Sequence, residues 1–438
     1  MSDFESLGLR PAILKALAFA ELTTPTPIQA RCIPLALEGH DIMGLAQTGT
    51  GKTMAFALPL IHNLLAEHGK PGPRIVKSLI LAPTRELVNQ IADNIRAVIK
   101  KTPLRLVTVV GGVSINKQIT RLGQGTDVLV ATPGRLIDLM DRGAVDMSSA
   151  RFLVLDEADQ MLDMGFIHAL RRIAPALGTP RQTMLFSATM PKLMEELSQA
   201  YLTNPQKVQV APPGKTADKI EQSVEFMGKD GKATRLRELL RDHADELTLV
   251  FSRTKYGAEK MMKALRKDGF AADSVHGNKS QGQRDRAIAA FRSGEIKVLV
   301  ATDVAARGID IPGVALVVNY DLPNVPESYV HRIGRTARAG REGIAVSFCA
   351  PDEQAYLKDI EKLLKRKIPG SEEFKGPSLA PPAAKPRRRR GPQGPAGGGQ
   401  HQGKPQGRGG KPQGKTGPKP ANSNKSRRRR SGGRKSAA

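Results

Sequence analysis

Eight residues, Ala46-Gln47-Thr48-Gly49-Thr50-Gly51-Lys52-Thr53, combine the residue types that hold a chain of phosphates. Gly49 and Gly51 permit backbone turns that aim several N–H groups at anionic oxygens. Lys52 supplies a positive charge for the β- and γ-phosphates, and the Thr53 hydroxyl suits Mg²⁺. The pattern usually begins with glycine, and here that place is Ala46. A second set follows a hundred residues later, where Leu155-Asp156-Glu157-Ala158-Asp159 closes an apolar run. Carboxylates at the carboxyl end of a parallel strand stand beside a phosphate loop on a neighbouring strand end. Asp156 is then placed to hold Mg²⁺, largely through water, and Glu157 to orient and deprotonate an attacking water. Alone, the acidic run would be no more than a helix cap. Together the two sets predict binding and hydrolysis of a nucleoside triphosphate.

Such residues need strands and helices to hold them. The loop follows the apolar run Asp41-Ile-Met-Gly-Leu45 and opens a helical pattern at Met54-Ala-Phe-Ala-Leu58, so a helix N-terminus faces the phosphates. Further strand candidates are Leu79–Ala82, Leu106–Val110, Val128–Ala131, Phe152–Leu155 and Thr183–Phe186. After the polar, Pro-containing stretch 211–217 come Leu247–Phe251, Ala271–Val275, Val298–Ala301, Val314–Val318 and Ile344–Phe348. Short unbroken apolar runs suit parallel strands covered on both faces by helices. Val-Leu-Val-Ala-Thr occurs at 128–132 and at 298–302, and Leu-Ala-Pro-Thr-Arg85 and Val-Phe-Ser-Arg-Thr254 stand at nearly the same offset. This predicts two copies of one α/β domain, over 1–207 and 219–367, joined by a linker at 208–218. The second copy has no Gly-Lys-Thr loop, so it should meet the nucleotide from across a cleft.

The composition narrows the partners. Of the net charge of +26, +17 lies in residues 379–438, which contain no Asp or Glu. Pro-Arg-Arg-Arg-Arg-Gly at 386–391 and Ser-Arg-Arg-Arg-Arg-Ser at 426–431 bracket a mixture of Gly, Pro, Gln and Lys. Residues 368–438 cannot bury enough apolar surface to offset chain entropy, and are expected to be disordered. Such a tail suits a polyanion, nucleic acid first and an anionic membrane second. The Arg runs also resemble nuclear localisation signals. Cys32 and Cys349 lack metal-ligand spacing and suit a reducing compartment. The N-terminus lacks signal-peptide character and no apolar run could span a bilayer, which predicts a soluble, cytoplasmic protein.

With Asp156-Glu157-Ala158-Asp159 on the page, residues 1 to about 365 resemble a DEAD-box ATP-dependent RNA helicase, with motifs in that family's order. The likeness implies two tandem RecA-like domains with ATP and Mg²⁺ in the cleft between them. Pro25-Thr-Pro-Ile-Gln29 resembles the adenine-reading motif, in which Gln29 would pair with the base and Phe4 stack on it. A glutamine amide can give and accept one hydrogen bond each, as the adenine edge requires. Glu21-Leu22 departs from the family's usual Gly and aromatic. Pro83-Thr84-Arg85, Gly112 and Thr132-Pro133-Gly134-Arg135 resemble RNA contacts of the first domain. Arg253, Gln281, Arg284, Thr302 and Asp303 resemble those of the second. Turns at strand ends expose groups that suit phosphates and 2′-hydroxyls, although each could equally be a local cap or turn. Ser187 and Thr189 resemble the motif that couples the ATPase carboxylates to RNA, and Asp310 the ribose contact.

His331-Arg-Ile-Gly-Arg-Thr-Ala-Arg338 resembles the arginine-finger motif, in which Arg335 and Arg338 would reach the γ-phosphate from the second domain. His331 would join the network around Glu157, and Ala337 stands where the family commonly has Gly. The expected activity is RNA-stimulated ATP hydrolysis that unwinds short duplexes or remodels RNA–protein complexes, as in ribosome assembly or RNA decay. A monomer with little sequence preference is expected. The compact core and tail resemble the bacterial RhlE-type group. Rival readings are a DNA translocase of the same superfamily and an ATP-gated RNA clamp or chaperone.

Overall fold

A computed structural model of the chain describes residues 3–46, 49–67, 69–190, 192–210, 220–306, 311, 313–337 and 342–371. Among the described residues the chain forms thirteen strands in two all-parallel sheets, eleven of them on the apolar runs. The first lobe contains β1 (Ile42–Leu45), β2 (Val76–Leu81), β3 (Leu106–Val109), β4 (Thr126–Ala131), β5 (Phe152–Leu155), β6 (Gln182–Ser187) and β7 (Gln206–Gln209). They are ordered β3-β4-β2-β5-β6-β1-β7. The second lobe contains β8 (Ile220–Phe226), β9 (Leu247–Phe251), β10 (Ala272–Val275), β11 (Val298–Ala301), β12 (Val314–Asn319) and β13 (Gly343–Cys349), ordered β10-β11-β9-β12-β13-β8.

The two orders superimpose strand for strand, with β3-β4-β2-β5-β6-β1 matching β10-β11-β9-β12-β13-β8 and β7 added at one edge. The repeated Val-Leu-Val-Ala words are β4 and β11, each one strand in from a sheet edge. Thr84 and Thr254 repeat as well: each hydroxyl caps the next helix, accepting from Leu87 N at 3.2 Å and Gly257 N at 3.0 Å respectively. A cap of this kind contributes about 1 kcal/mol.

Each sheet is sealed by apolar clusters on its two faces. The helix Arg85–Ile99 shows why. Leu87, Val88, Ile91, Ala92, Ile95, Val98 and Ile99 repeat at three- and four-residue steps and are all buried. Burying a Leu, Ile or Val side chain contributes about 1.5–3 kcal/mol each. Strands β7 and β8 escaped the sequence reading because they are edges. Only Val208 of β7 is buried, and β8 alternates apolar with polar residues.

The linker expected over 208–218 begins with residues of β7, and from 211 it lies outside the described residues. At the other end, Ile368 is buried and Val224 N donates to Pro369 O at 2.9 Å, so residues 368–371 pack against β8. The tail expected after that falls outside the described residues. No helix among those described is long and apolar enough to cross a membrane.

Candidate active site

The phosphate-loop residues stand at the carboxyl end of β1. Gly49 and Gly51 have φ of 84° and 90°, a left-handed region that costs glycine little. A Cβ on Gly51 would lie 2.6 Å from Gln29 Nε2, so the side chain of Gln29 fills the space that glycine leaves. Gln29 is buried, donates from Nε2 to Gly51 O at 3.0 Å and accepts at Oε1 from Thr26 N at 2.9 Å. It therefore ties the helix Pro27–Leu37 to the loop. Ala46 N donates to Ser187 O at 3.0 Å, and Thr50 and Thr53 complete the turn into the helix Lys52–Leu64. Gln47 and Thr48 lie outside the described residues. Phe4, expected as a base-stacking ring, is 5% exposed and packs within the core of the first lobe.

The carboxylates follow β5, but β5 is not adjacent to β1. Strand β6 runs between them, so Ser187-Ala188-Thr189 separates the loop from the acidic motif. The helix after the loop bridges that gap, bringing Lys52 Nζ to 3.9 Å from Asp156 Oδ1. Lys52 and Asp156 are both buried, and Lys52 Nζ has no hydrogen-bond partner among the described residues. Burial pushes the Asp156 carboxyl up to about 6, with Glu157 and Asp159 adding to the rise against the pull of Lys52. Glu157 is buried with φ 51° and ψ 51°, and its N–H donates to Asp156 Oδ1 at 3.0 Å. A non-glycine residue held left-handed costs of order 1 kcal/mol, and here it turns the chain sharply between the two carboxylates.

Asp159 is the residue that sequence reasoning passed over. Its Oδ2 accepts from Ala188 N, Thr189 N and Thr189 Oγ1 at 3.0, 2.9 and 3.0 Å. The same oxygen lies 3.7 Å from Nε2 of His331, on the helix Pro326–Ile333 of the second lobe. Burial alone would raise its pKa, but His331, Lys52 and Thr189 together hold it below the ordinary carboxylate range. His331, expected in the network around Glu157, faces Asp159 of the same motif. Ser187 Oγ donates to Thr189 O at 2.6 Å, which fixes the intervening turn. The signal for Asp159 was its place in the motif, one helical turn beyond Asp156.

Other site residues form two groups. Across the lobes, Gln281 Nε2 donates to Glu86 Oε1 at 2.9 Å, and Arg284 Nη2 lies 3.2 Å from the same oxygen. Arg85 Nη2 approaches Asp285 Oδ2 at 3.7 Å and its Nη1 donates to Gly111 O at 3.4 Å, beside Gly112. Arg135 Nη1 donates to Val113 O at 2.9 Å, at the start of the helix Pro133–Asp141 whose N-cap is Thr132 and in which Gly134 is exposed. Pro83 precedes the Thr84 cap.

Within the second lobe, Asp303 is gripped by Arg332, whose Nη2 lies 2.8 Å from Asp303 Oδ2 and whose Nε bonds the other oxygen. Arg332 is fully buried and also donates to Asn319 Oδ1 and Asp321 O at 3.2 and 2.7 Å. Arg253 bonds Glu353, with its guanidinium 5.4 Å from the Tyr356 ring centre. Asp303 and Arg253 were expected to meet RNA, and the structure gives both of their charged groups protein partners. Thr302 is buried beside them. Arg335 is buried, and its Nε donates to His331 O at 3.1 Å. Arg338 and Asp310 lie outside the described residues.

Residues 26–197 match the DEAD/DEAH box helicase family, and residues 231–340 match the helicase conserved C-terminal domain. The DEAD-box ATP-dependent RNA helicase CshA of Geobacillus kaustophilus is 41% identical over 379 residues, covering 86% of this chain and 79% of the relative. The chain belongs to the DEAD-box ATP-dependent RNA helicases. CshA of Listeria monocytogenes is 42% identical over 368 residues, covering 84% of this helicase and 70% of that one. Among solved structures, Saccharomyces cerevisiae Dbp5 bound to RNA and ADP BeF3 matches with a TM-score of 0.74 at 32% identity, covering 85% and 97% of the two chains. Mss116p bound to ssRNA and AMP-PNP gives a TM-score of 0.75 at 28% identity, covering 84% and 77%. As a DEAD-box enzyme, this helicase uses ATP. These relatives are named CshA and lend the RhlE-type likeness no support.

Proposed function

We propose that this helicase hydrolyses ATP when RNA draws its two lobes together, and that closure separates the strands of short duplexes. One observation carries the reading: Asp159 accepts hydrogen bonds from Thr189 of its own lobe, and the same oxygen lies 3.7 Å from His331 Nε2 of the other. A change in lobe spacing therefore reaches the carboxylate cluster directly. Lys52 would bind the terminal phosphates, Gln29 would read the adenine, and Glu157 would take the proton of the attacking water. Arg335 and Arg338 would neutralise charge that grows on the γ-phosphate, and arginines in that role contribute about 10³–10⁵ in rate.

A buried ammonium without a hydrogen-bond partner beside a buried carboxylate is the donor set that a metal-bound phosphate chain completes. Asp156, largely through water, and Thr53 would hold Mg²⁺. The ion would supply positive charge to the phosphate oxygens.

RNA would lie along strand ends that offer Thr84, Thr132, Arg135 and Thr302, contacts to sugar and phosphate that carry little base preference. Arg85, Gln281 and Arg284 would serve both RNA and the lobe contact through Glu86. A monomeric, cytoplasmic enzyme acting on ribosomal precursors or decaying RNA fits these features. The lobes would be residues 1–207 and 219–367, and the basic tail keeps the RhlE-type comparison open. The test is ATP turnover with and without RNA. Wild type should be stimulated by RNA, and Glu157→Gln should lose turnover by about 10²-fold or more while still binding nucleotide. RNA-independent hydrolysis, or full activity in the variant, would refute the reading.

A further inference from the structure

A groove of about 1190 Å³ crosses the second lobe between the helices Lys255–Lys267 and Gln281–Ser293. Two of the three carboxylates that line it face neighbouring side chains, and the third, Glu295, is exposed. Glu259 Oε2 is 3.0 Å from Nε2 of the buried His276, and Asp273 Oδ1 accepts from Lys279 Nζ at 2.6 Å. Lys255 and Arg286, one on each flanking helix, are exposed and pair with no carboxylate among the described residues. Tyr256, which also lines the groove, is 71% exposed, with Lys255 Nζ 5.3 Å from its ring centre. An aromatic ring in water beside unpaired cations is the composition of a base-stacking platform with phosphate contacts.

The helix Gln281–Ser293 has two working faces. Gln281 and Arg284 meet Glu86 of the first lobe, while Gln283 and Arg286 line the groove on the opposite side. Residues three and four apart share a face, so this division follows from the helical period. One helix thus carries both the lobe contact and one wall of the groove.

The geometry points to this groove as a second RNA-contacting surface. It receives single-stranded RNA leaving the cleft, with one base stacked on Tyr256 and phosphates against Lys255 and Arg286. The inference rests on the RNA reading of the cleft. It favours RNA over an acidic protein segment because an exposed aromatic ring adjoins the Lys255 cation and the same helix that carries Arg286 meets the first lobe.

The test uses the full chain and fluorescence anisotropy with unstructured RNA of about 6 and about 16 nucleotides, lengths that span single-strand site sizes. Tyr256→Ala and, separately, Arg286→Glu should weaken the longer RNA about five-fold or more, the change equivalent to about 1 kcal/mol of base stacking. The shorter RNA should bind each variant as it binds wild type, and Tyr256→Phe should keep the longer RNA. The basic tail is present in every arm and cancels. Unchanged binding of the longer RNA, or equal losses at both lengths, overturns the proposal and leaves the cleft reading standing. Polyglutamate binding that Arg286→Glu abolishes without affecting RNA would assign the groove to a protein partner, which also overturns it. If neither RNA binds wild type, the cleft reading fails and takes the proposal with it.

Discussion

Asp156 and Asp159 stand three residues apart and are shifted in opposite directions. Asp156 has no cation at hydrogen-bond distance, so burial keeps its carboxyl protonated up to about 6. Between its ordinary value of 3.8 and about 6, the folded chain holds a proton that the unfolded chain has released. Stability therefore falls as pH rises through that window. Asp159 contributes in the other sense: its stabilisation is present above the ordinary carboxylate range and is lost as pH falls through its depressed native value. Asp156→Asn should stabilise the metal-free protein at neutral pH by up to about 3 kcal/mol, and the gain should vanish near pH 4. Thermal denaturation at both pH values measures this, and an unchanged or lower Tm at neutral pH would contradict it.

Residues such as Gly51, Lys52 and Asp156 were legible in the sequence because each type in that spacing implies one chemistry. The ion pairs that Asp303 and Arg253 make were not. A charge on a strand end reads the same whether it meets solvent, RNA or a buried partner. Their partners, Arg332 and Glu353, come from elements 29 and 100 residues away.

At the scale of elements, apolar runs marked the central strands because both faces of a parallel sheet are covered. The strand order needed tertiary pairing. Nothing in the acidic motif says that β6 intervenes between it and the phosphate loop, yet that strand is what sets Thr189 against Asp159. Arg332 plays a comparable part in the second lobe, joining the ends of β11 and β12 to the helix Pro326–Ile333. Removing the buried Arg332 leaves Asn319 Oδ1 and Asp321 O without a donor, while Asp303 keeps partial access to water. Arg332→Ala should cost about 1–3 kcal/mol in urea denaturation. Arg332→Lys should fail to restore it, because an ammonium cannot reproduce the two-pronged grip on Asp303. A loss under about 1 kcal/mol for either variant would show that this junction carries little of the stability.

For the whole molecule, the duplicated strand order puts one lobe's carboxylates opposite the other lobe's His331, and Glu86 opposite Gln281 and Arg284. Most of the net positive charge lies beyond that body, in residues 379–438. Because Ile368 and Pro369 pack against β8, a clean truncation begins at residue 372. The truncated protein should bind RNA more weakly, with a shallower dependence of log Kd on log salt, and should keep its basal ATP hydrolysis. An unchanged salt slope would place the tail outside RNA binding.

Communication between RNA and the carboxylates through the Asp159–His331 contact is the claim on which the account turns. A double-mutant cycle on RNA-stimulated kcat tests it. His331→Ala should lower that rate roughly ten-fold in the wild-type background, equivalent to about 1.4 kcal/mol, and should add little once Asp159→Asn is present. An equal loss in both backgrounds would show that the two residues act independently, and would contradict the account.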